Sequence, residues 1–327
     1  MFLAFKSPCC SCTGTSLRFT LFIHPSQFRT TASGKSRNSS IEHAVFCDLP
    51  NHLPARSLMV FNDTQVVPAK LHGRLINSGR PVEVLLVREN ADKQWEALVK
   101  GLAKLKPGTL MEFGGGALQA ELTGRLNDRA ILRLTCTGNL EEVLDRVAKM
   151  PLPPYIRRDA ASGEDSSSLD RKRYQTVFAK HAGAIAAPTA GLHFTPELLE
   201  SLQRGGIQTV FLTLHVGVGT FQPIRCEDIR EHKMEAEQFH IPAKTLKEVL
   251  RAREEGRDIV AVGSTSTRVL ESVDLGTATQ GNASGWTDRF IYPGQEFKVV
   301  NRVLTNFHLP KSTLYLFVCT LVGKDLL

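Results

Sequence analysis

Residues 174–222 read YQTVFAKHAGAIAAPTAGLHFTPELLESLQRGGIQTVFLTLHVGVGTFQ, and this stretch decides the fold. Two segments inside it lack core periodicity yet are rich in groups that hold or transform a ligand: APTAGLHF at 187–194 and LHVGVGTF at 214–221. Each sets Gly beside His and Thr, and each joins regular elements. The first supplies Thr189, Gly191 and His193, the second His215, Gly217, Gly219 and Thr220. Thr195 before Pro196 reads as an N-cap with proline at the first helical position. Leu198, Leu199 and Leu202 give that helix one apolar face, and Gly205-Gly206 ends it. Residues 207–214, rich in Val, Ile, Thr and Phe, read as a strand that delivers His215 at its carboxyl end. In open α/β sheets ligands bind at those ends.

The same pattern recurs outward from this centre. SLMVF at 57–61 is strand-like and ends on Asn62, Asp63 and Thr64, site candidates that could also form only an Asx-turn. Residues 259–262 read as a buried strand running into GSTSTR at 263–268. A Gly-Ser/Thr turn that opens a helix invites a carboxylate or ribose through Thr265, and Arg268 has the fork to grip a carboxylate bidentately. Residues 297–304 end on Thr305, Asn306 and His308, a third histidine at a strand end. Glu237 lies in the acidic, polar run EDIREHKMEAE. This alternation of strands and helices predicts an α/β main domain, a mixed sheet with flanking helices, over 42–69 plus 151–327.

Between 70 and 150 the texture changes. Short strand candidates at 82–88, 94–99, 109–113, 117–123 and 130–135 are separated by Asn, Gly, Pro and Asp turns, which predicts an inserted small antiparallel β-barrel domain. Residues 141–149 read as a short helix leading back out. MPLPPYIRR then forms a proline-stiffened linker, followed by a polar stretch at 159–169 too poor in apolar residues to pack. Arg157, Arg158, Arg171, Lys172 and Arg173, interleaved with Tyr155 and Tyr174, suit phosphate contact and base stacking on single-stranded RNA. A solvated charged face has the same composition.

The whole chain of 327 residues is 42% apolar and 22% charged, the profile of a globular chain, and no run is long and apolar enough to span a bilayer. The net charge of +7 is concentrated at one end: Lys6, Arg18, Arg29, Lys35 and Arg37 fall within 1–41, which contains no acid, so the remainder carries only +2. That leader reads as disordered or targeting, the latter placing the protein in a mitochondrial or plastid matrix instead of the cytoplasm. Seven cysteines without a second cluster, and histidines without a helical i, i+4 pair, argue against a metal. Gly217-x-Gly219 runs into Thr-Phe-Gln-Pro, which does not suit a dinucleotide loop.

APTAGLHFT, TLHVGVGTFQP and TNFHLPKSTL, together with VFNDTQVVPAKLHGR, MPLPPYI, YQTVFA, HKMEAE and AVGSTSTRVLES, resemble the S-adenosylmethionine:tRNA ribosyltransferase-isomerases of the queuosine pathway, the QueA family. The resemblance covers about 41–323 and departs from the family at Gln65, where relatives usually carry Arg, and at Glu235, where His is frequent. It implies transfer of the ribosyl group of S-adenosylmethionine, as co-substrate and without metal, onto an aminomethyl-deazaguanine in tRNA. Adenine and methionine would be released by a monomeric enzyme with no membrane partner. It makes His193, His215 and His308 proton-transfer candidates, with Glu237 and Asp63 as orienting carboxylates. Asn62, Thr189, Gly191, Gly217, Gly219, Thr220, Thr265, Arg268, Thr305 and Asn306 would bind substrate. Relatives begin with a further sheet segment and continue past the last helix. On that comparison the apolar side chains Leu314, Leu316, Phe317, Val318, Leu321 and Val322 are expected to lose cover, and an inactive tRNA-binding relative is the alternative.

Overall fold

The computed structural model describes residues 2–7, 18–23, 41–90, 92–153, 156, 166–221, 224, 226–276, 281–308 and 310–323. Two compact units emerge: residues 1–65 with 175–327, and residues 66–174. In chain order the first unit begins with strands β1 (Phe2–Ser7), β2 (Arg18–Ile23) and β3 (Ile41–Val45), helix α1 (Leu49–His52), and strands β4 (Leu58–Asn62) and β5 (Thr64–Val66). The second unit carries β6 (Lys70–Leu75), β7 (Pro81–Glu89), β8 (Trp95–Val99), β9 (Leu110–Phe113), β10 (Leu118–Leu126) and β11 (Arg129–Cys136), then α2 (Leu140–Val147) and α3 (Ser166–Arg173). The chain returns through β12 (His181–Ala184), α4 (Pro196–Arg204), β13 (Gln208–Leu214), β14 (Glu237–Ile241), α5 (Ala243–Glu254), β15 (Ile259–Val262), α6 (Gly263–Leu270), β16 (Ala283–Thr287), β17 (Arg302–Asn306) and α7 (Thr313–Val322).

The first unit is built on a nine-stranded mixed sheet of order β16-β14-β13-β4-β15-β17-β2-β1-β3. Its centre is parallel: β13 pairs with β4, β4 with β15 and β15 with β17. Every residue of β4 and β15 is buried, as expected where both faces of a parallel sheet are covered. Because successive side chains point to opposite faces, Met59 and Phe61 enter one core with Leu49, Leu53, Phe194, Leu198 and Leu202. The Phe61 ring meets Phe178 and Phe194 edge-on at 5.0 and 4.9 Å. On α5 and α6 the buried apolar side chains are Leu246, Val249, Ala252, Val269 and Leu270.

The second unit is a closed barrel of order β10-β11-β8-β7-β6-β9, antiparallel throughout. Each strand expected from the turn chemistry is present; β6 is the one not anticipated. Gly73 in β6 has a packing reason: an added Cβ would lie 2.0 Å from the Glu112 carbonyl oxygen. The unit also extends further than the 70–150 insertion expected from sequence. Lys149 and Lys70 exchange backbone hydrogen bonds, and Arg171 of α3 binds the Asp145 carboxylate and the Ala148 carbonyl, so the segment through α3 is tied to α2.

Two expectations about the ends are corrected. Residues 1–41 read as a disordered or targeting leader, and within them Phe2–Ser7 and Arg18–Ile23 are instead strands: β2 pairs antiparallel with β17, and β1 links β2 to β3. FLAFKS and RFTLFI are good strand formers, and the open edge of β17 offers them a ladder of backbone partners. In α7, Phe317, Val318, Leu321 and Val322 are buried instead of uncovered. Among the described residues no helix is long and apolar enough to cross a membrane.

Phe61→Ala should cost about 3–5 kcal/mol in a urea unfolding experiment on the whole chain, since it empties a ring-sized volume at the core of the sheet. A loss below about 1 kcal/mol would show that the ring is not packed as described.

Candidate active site

Parallel pairing places the carboxyl ends of β13, β4, β15 and β17 on one edge of the sheet. Those ends carry Leu214-His215, Asn62-Asp63, Val262-Gly263 and Asn306 with His308. The 3-10 turn Thr189–His193 reaches the same edge, where His193 meets Asn306 at the end of β17.

At the β4–β13 end, Asn62 is 1% exposed and its carboxamide is spent on the protein itself. Its Oδ1 accepts from the backbone N–H groups of Leu214 (3.0 Å) and Thr64 (3.1 Å), and its Nδ2 donates to the Leu214 carbonyl (3.0 Å). It is therefore a clamp between strands. Asp63 accepts from the Thr213 hydroxyl at 2.7 Å, and its carboxylate lies 3.8 Å from His181 Nε2. The hydroxyl of Thr64 stands 2.8 Å from His215 Nδ1. Gly183 packs on the His215 ring, where a Cβ would fall 2.8 Å from Cε1 and Nδ1. Burial, then the neighbouring His181, push the His215 pKa below its ordinary value, with Asp63 opposing them. His181 was not singled out in the sequence, whereas Thr64 was named there with Asn62 and Asp63 as a site candidate. A lone His in a glycine-rich turn and a Thr in a polar triplet give no direction of their own.

At the β17 end, His193 is buried and shares a hydrogen bond with Asn306 Oδ1 at 3.0 Å through Nε2, and its ring lies 5.2 Å from that of Phe46. His308 Nε2 is 3.2 Å from the Thr305 hydroxyl, and burial pushes its pKa down to about 4. Thr189 is half-buried in the turn beside them. Gly191 is there for space: a Cβ would meet Phe178 and Thr176 at 2.9 Å. At the start of α6, Thr265 is 6% exposed and among the described residues its hydroxyl makes no hydrogen bond. A buried, unpaired hydroxyl at a helix amino end has capacity for an anionic or polar ligand group.

The Arg268 guanidinium is engaged within the protein. It pairs with the Glu237 carboxylate and donates to the carbonyls of Arg289 (2.8 Å) and Thr287 (3.1 Å). The side chains of Glu237 and Arg268 are 3% and 5% exposed, and the second Glu237 oxygen accepts from Gly217 N–H at 2.8 Å. Both residues thus tie β14, β16 and α6 together. Gly217 serves that clamp, and Gly219 makes room for Glu235, whose Cβ would lie 2.7 Å from an added one. Thr220 sits in the 3-10 turn Val218–Phe221.

In the other unit the basic set divides. Arg157 and Arg158 lie outside the described residues. Arg171 is engaged by α2, and Tyr174 is 4% exposed, so its ring is not offered for base stacking. Lys172 and Arg173 are exposed.

The sequence matches the family described as "Queuosine biosynthesis protein" over residues 28–327. Among solved structures it is similar to the S-adenosylmethionine tRNA ribosyltransferase of Thermotoga maritima, at 31% identity over 86% of this chain and 77% of that chain, with a TM-score of 0.40. Membership is carried by the sequence match and not by that superposition.

The burial of His308 has a consequence for stability. The folded chain leaves it neutral down to about pH 4, whereas an unfolded chain takes up the proton near 6.5. Its contribution is therefore complete above pH 6.5 and is lost as the pH falls toward 4, on the order of 3 kcal/mol at about 1.4 kcal/mol per unit. His308→Gln should flatten the dependence of unfolding free energy on pH across that window. An unchanged slope would mean that His308 is as well hydrated folded as unfolded.

Proposed function

Since the chain belongs to the queuosine biosynthesis protein family, we propose that it transfers and isomerises the ribosyl group of S-adenosylmethionine onto the aminomethyl-deazaguanine base in tRNA, giving epoxyqueuosine and releasing adenine and methionine. The observation that carries this reading is the gathering of His193, His215 and His308 at the carboxyl edge of four parallel strands. That edge belongs to a sequence matching the family over nearly its whole length. The chemistry asks for a base to free the amine, an acid beside the departing adenine, and an anchor for the methionine carboxylate. Imidazoles near neutrality serve either proton role.

The anchor moves from Arg268, which is engaged by Glu237, to the amino end of α6. There the first N–H groups of the helix and the Thr265 hydroxyl offer hydrogen bonds, and the helix dipole favours negative charge. Thr305 and Asn306 stand beside His308 and His193, positions from which they orient the nucleoside. Asp63 acts on the site through His181 and Thr213, and the exposed Lys172 and Arg173 are retained as phosphate contacts for the tRNA. The inactive alternative is disfavoured, because the family match runs over residues 28–327.

Purified protein given labelled S-adenosylmethionine should release adenine and methionine only when tRNA bearing the precursor base is present, with a chelator making no difference. No release, or release without tRNA, would overturn the assignment; loss on chelation with recovery on adding zinc would overturn its metal-free chemistry. Thr265→Val should raise KM for S-adenosylmethionine about 5–10-fold with kcat little changed, the signature of a lost ground-state hydrogen bond worth roughly 1–1.5 kcal/mol. An unaltered KM would place the carboxylate elsewhere.

A further inference from the structure

The three histidines of the edge are not equivalent in which nitrogen they spend. His193 and His308 both engage Nε2, with Asn306 Oδ1 at 3.0 Å and the Thr305 hydroxyl at 3.2 Å. His215 does the reverse. Its Nδ1 meets the Thr64 hydroxyl at 2.8 Å, and among the described residues its Nε2 makes no hydrogen bond. The ring is also held from other directions. Its backbone N–H donates to the Gln238 carbonyl at 3.0 Å, the Asn62 clamp fixes the residue before it, and the α-carbon of Gly183 lies against the ring face. Thr64 itself is wholly buried.

Thr64 has one hydroxyl proton and two neighbours able to take it: His215 Nδ1 and the His181 carbonyl, toward which it points at 3.5 Å. A carbonyl accepts only. The chain Nδ1–H to Thr64 Oγ1, then Thr64 O–H to the His181 carbonyl, is the one arrangement that suits both the neutral and the protonated ring. With it, Nε2 gains and loses a proton while every other hydrogen bond stays in place. The reverse arrangement, with Thr64 donating to Nδ1, would have to break each time the ring charged. Preorganisation of this kind is what a proton-transfer site needs.

We propose that His215 is the proton acceptor for the substrate amine, through Nε2, and that Thr64 is the positioning residue that fixes its tautomer and aim. The assignment rests on the ribosyl-transfer reading above. In the step itself, an N–H bond of the substrate ammonium breaks, the electron pair stays on the amine nitrogen, and the proton forms a bond to Nε2. The product is an imidazolium and a free amine able to attack. The groups that face the ring are His181, whose charge would oppose that imidazolium, and Asp63, whose carboxylate favours it. The lowered pKa of His215 leaves the ring neutral near pH 7, the form in which it accepts.

Two measurements test this on the full chain. In the first, 15N-labelled protein is examined by long-range 1H–15N correlation at a pH where His215 is neutral, with His215→Gln to assign its signals. The expected result is a proton on Nδ1 and none on Nε2; a neutral ring protonated at Nε2 would overturn the proposal. In the second, adenine release is followed against pH for Thr64→Val and Thr64→Ser. Thr64→Val should lower kcat by about 10-fold or more, with both KM values within about twofold, and shift the acidic limb of the kcat profile. Thr64→Ser, which keeps the hydroxyl, should recover most of the activity. Thr64→Val matching the wild type in kcat and pH profile would overturn the proposal, as would Thr64→Ser failing alongside it while both variants melt as the wild type does. Wild-type protein that releases no adenine would instead sink the ribosyl-transfer reading, and the tautomer would still report on the geometry by itself.

Discussion

The site depends on a hydrogen-bonding constraint at the end of β4. Backbone pairing between β4 and β13 runs from Leu58 opposite Gln208 to Asn62 opposite Leu212, and there the carboxamide of Asn62 takes over. By accepting from Leu214 and Thr64 and donating back to Leu214, it carries the ladder two residues further, just where both chains must turn away. Three otherwise buried backbone groups are satisfied by one side chain. Leaving even one unpaired costs about 1–3 kcal/mol. The Asp63 N–H to the Leu212 carbonyl and the Thr213 hydroxyl to the Asp63 carboxylate complete the same corner. His215 can be presented in a fixed pose because the residue before it is not free to move.

A second constraint works at longer range. Burying both Glu237 and Arg268 carries a desolvation penalty that a single contact would not offset. Here the guanidinium also donates to two carbonyls, and the carboxylate also accepts from Gly217. The pair thereby joins the antiparallel strands β14 and β16 to α6, whose amino end lies on the parallel edge. The loop after β13 and the helix after β15 are registered against each other through this pair. A ligand bridging those two elements would meet a frame already set before it arrives.

Much of this was legible in the sequence, and what was not has a common cause. Apolar runs such as LMVF at 58–61 and IVAV at 259–262 announce buried strands because their period and β-branching have no other use. The turn residues between 76 and 128 announce hairpins for the same kind of reason. Polar residues at strand ends are another matter. Asn62, Arg268 and Glu237 were read as facing a ligand and each holds protein partners, since a carboxamide or guanidinium serves a backbone carbonyl as readily as a substrate. Sequence gives the type of group and not its direction. Tyr174 shows the same limit, a ring read for stacking on a base and found buried. The strands at 2–7 and 18–23 were missed for a different reason: surrounded by Ser, Thr and Arg, they reveal a role only once β17 is seen to have an edge to fill.

Burial of the histidines also has a chemical logic. S-adenosylmethionine brings a sulfonium, and the substrate amine arrives as an ammonium, so the proposed site must take in two cations. An imidazolium already present would repel both, at roughly 4 kcal/mol for a charge pair 4 Å apart near a protein surface. His215 and His308 are both held below their ordinary pKa, chiefly by burial, and so meet these cations as neutral rings. The two are held down to different purpose. His308, pushed to about 4, is a poor acceptor at neutral pH and is better suited to hydrogen bonding than to taking a proton. His215 has Asp63 nearby to offset part of the burial, so that once the amine has given up its proton the resulting imidazolium has a carboxylate to face. In the proposed transfer, the same carboxylate that anchors the corner of β4 and β13 therefore favours the imidazolium, and it does so from inside the sheet.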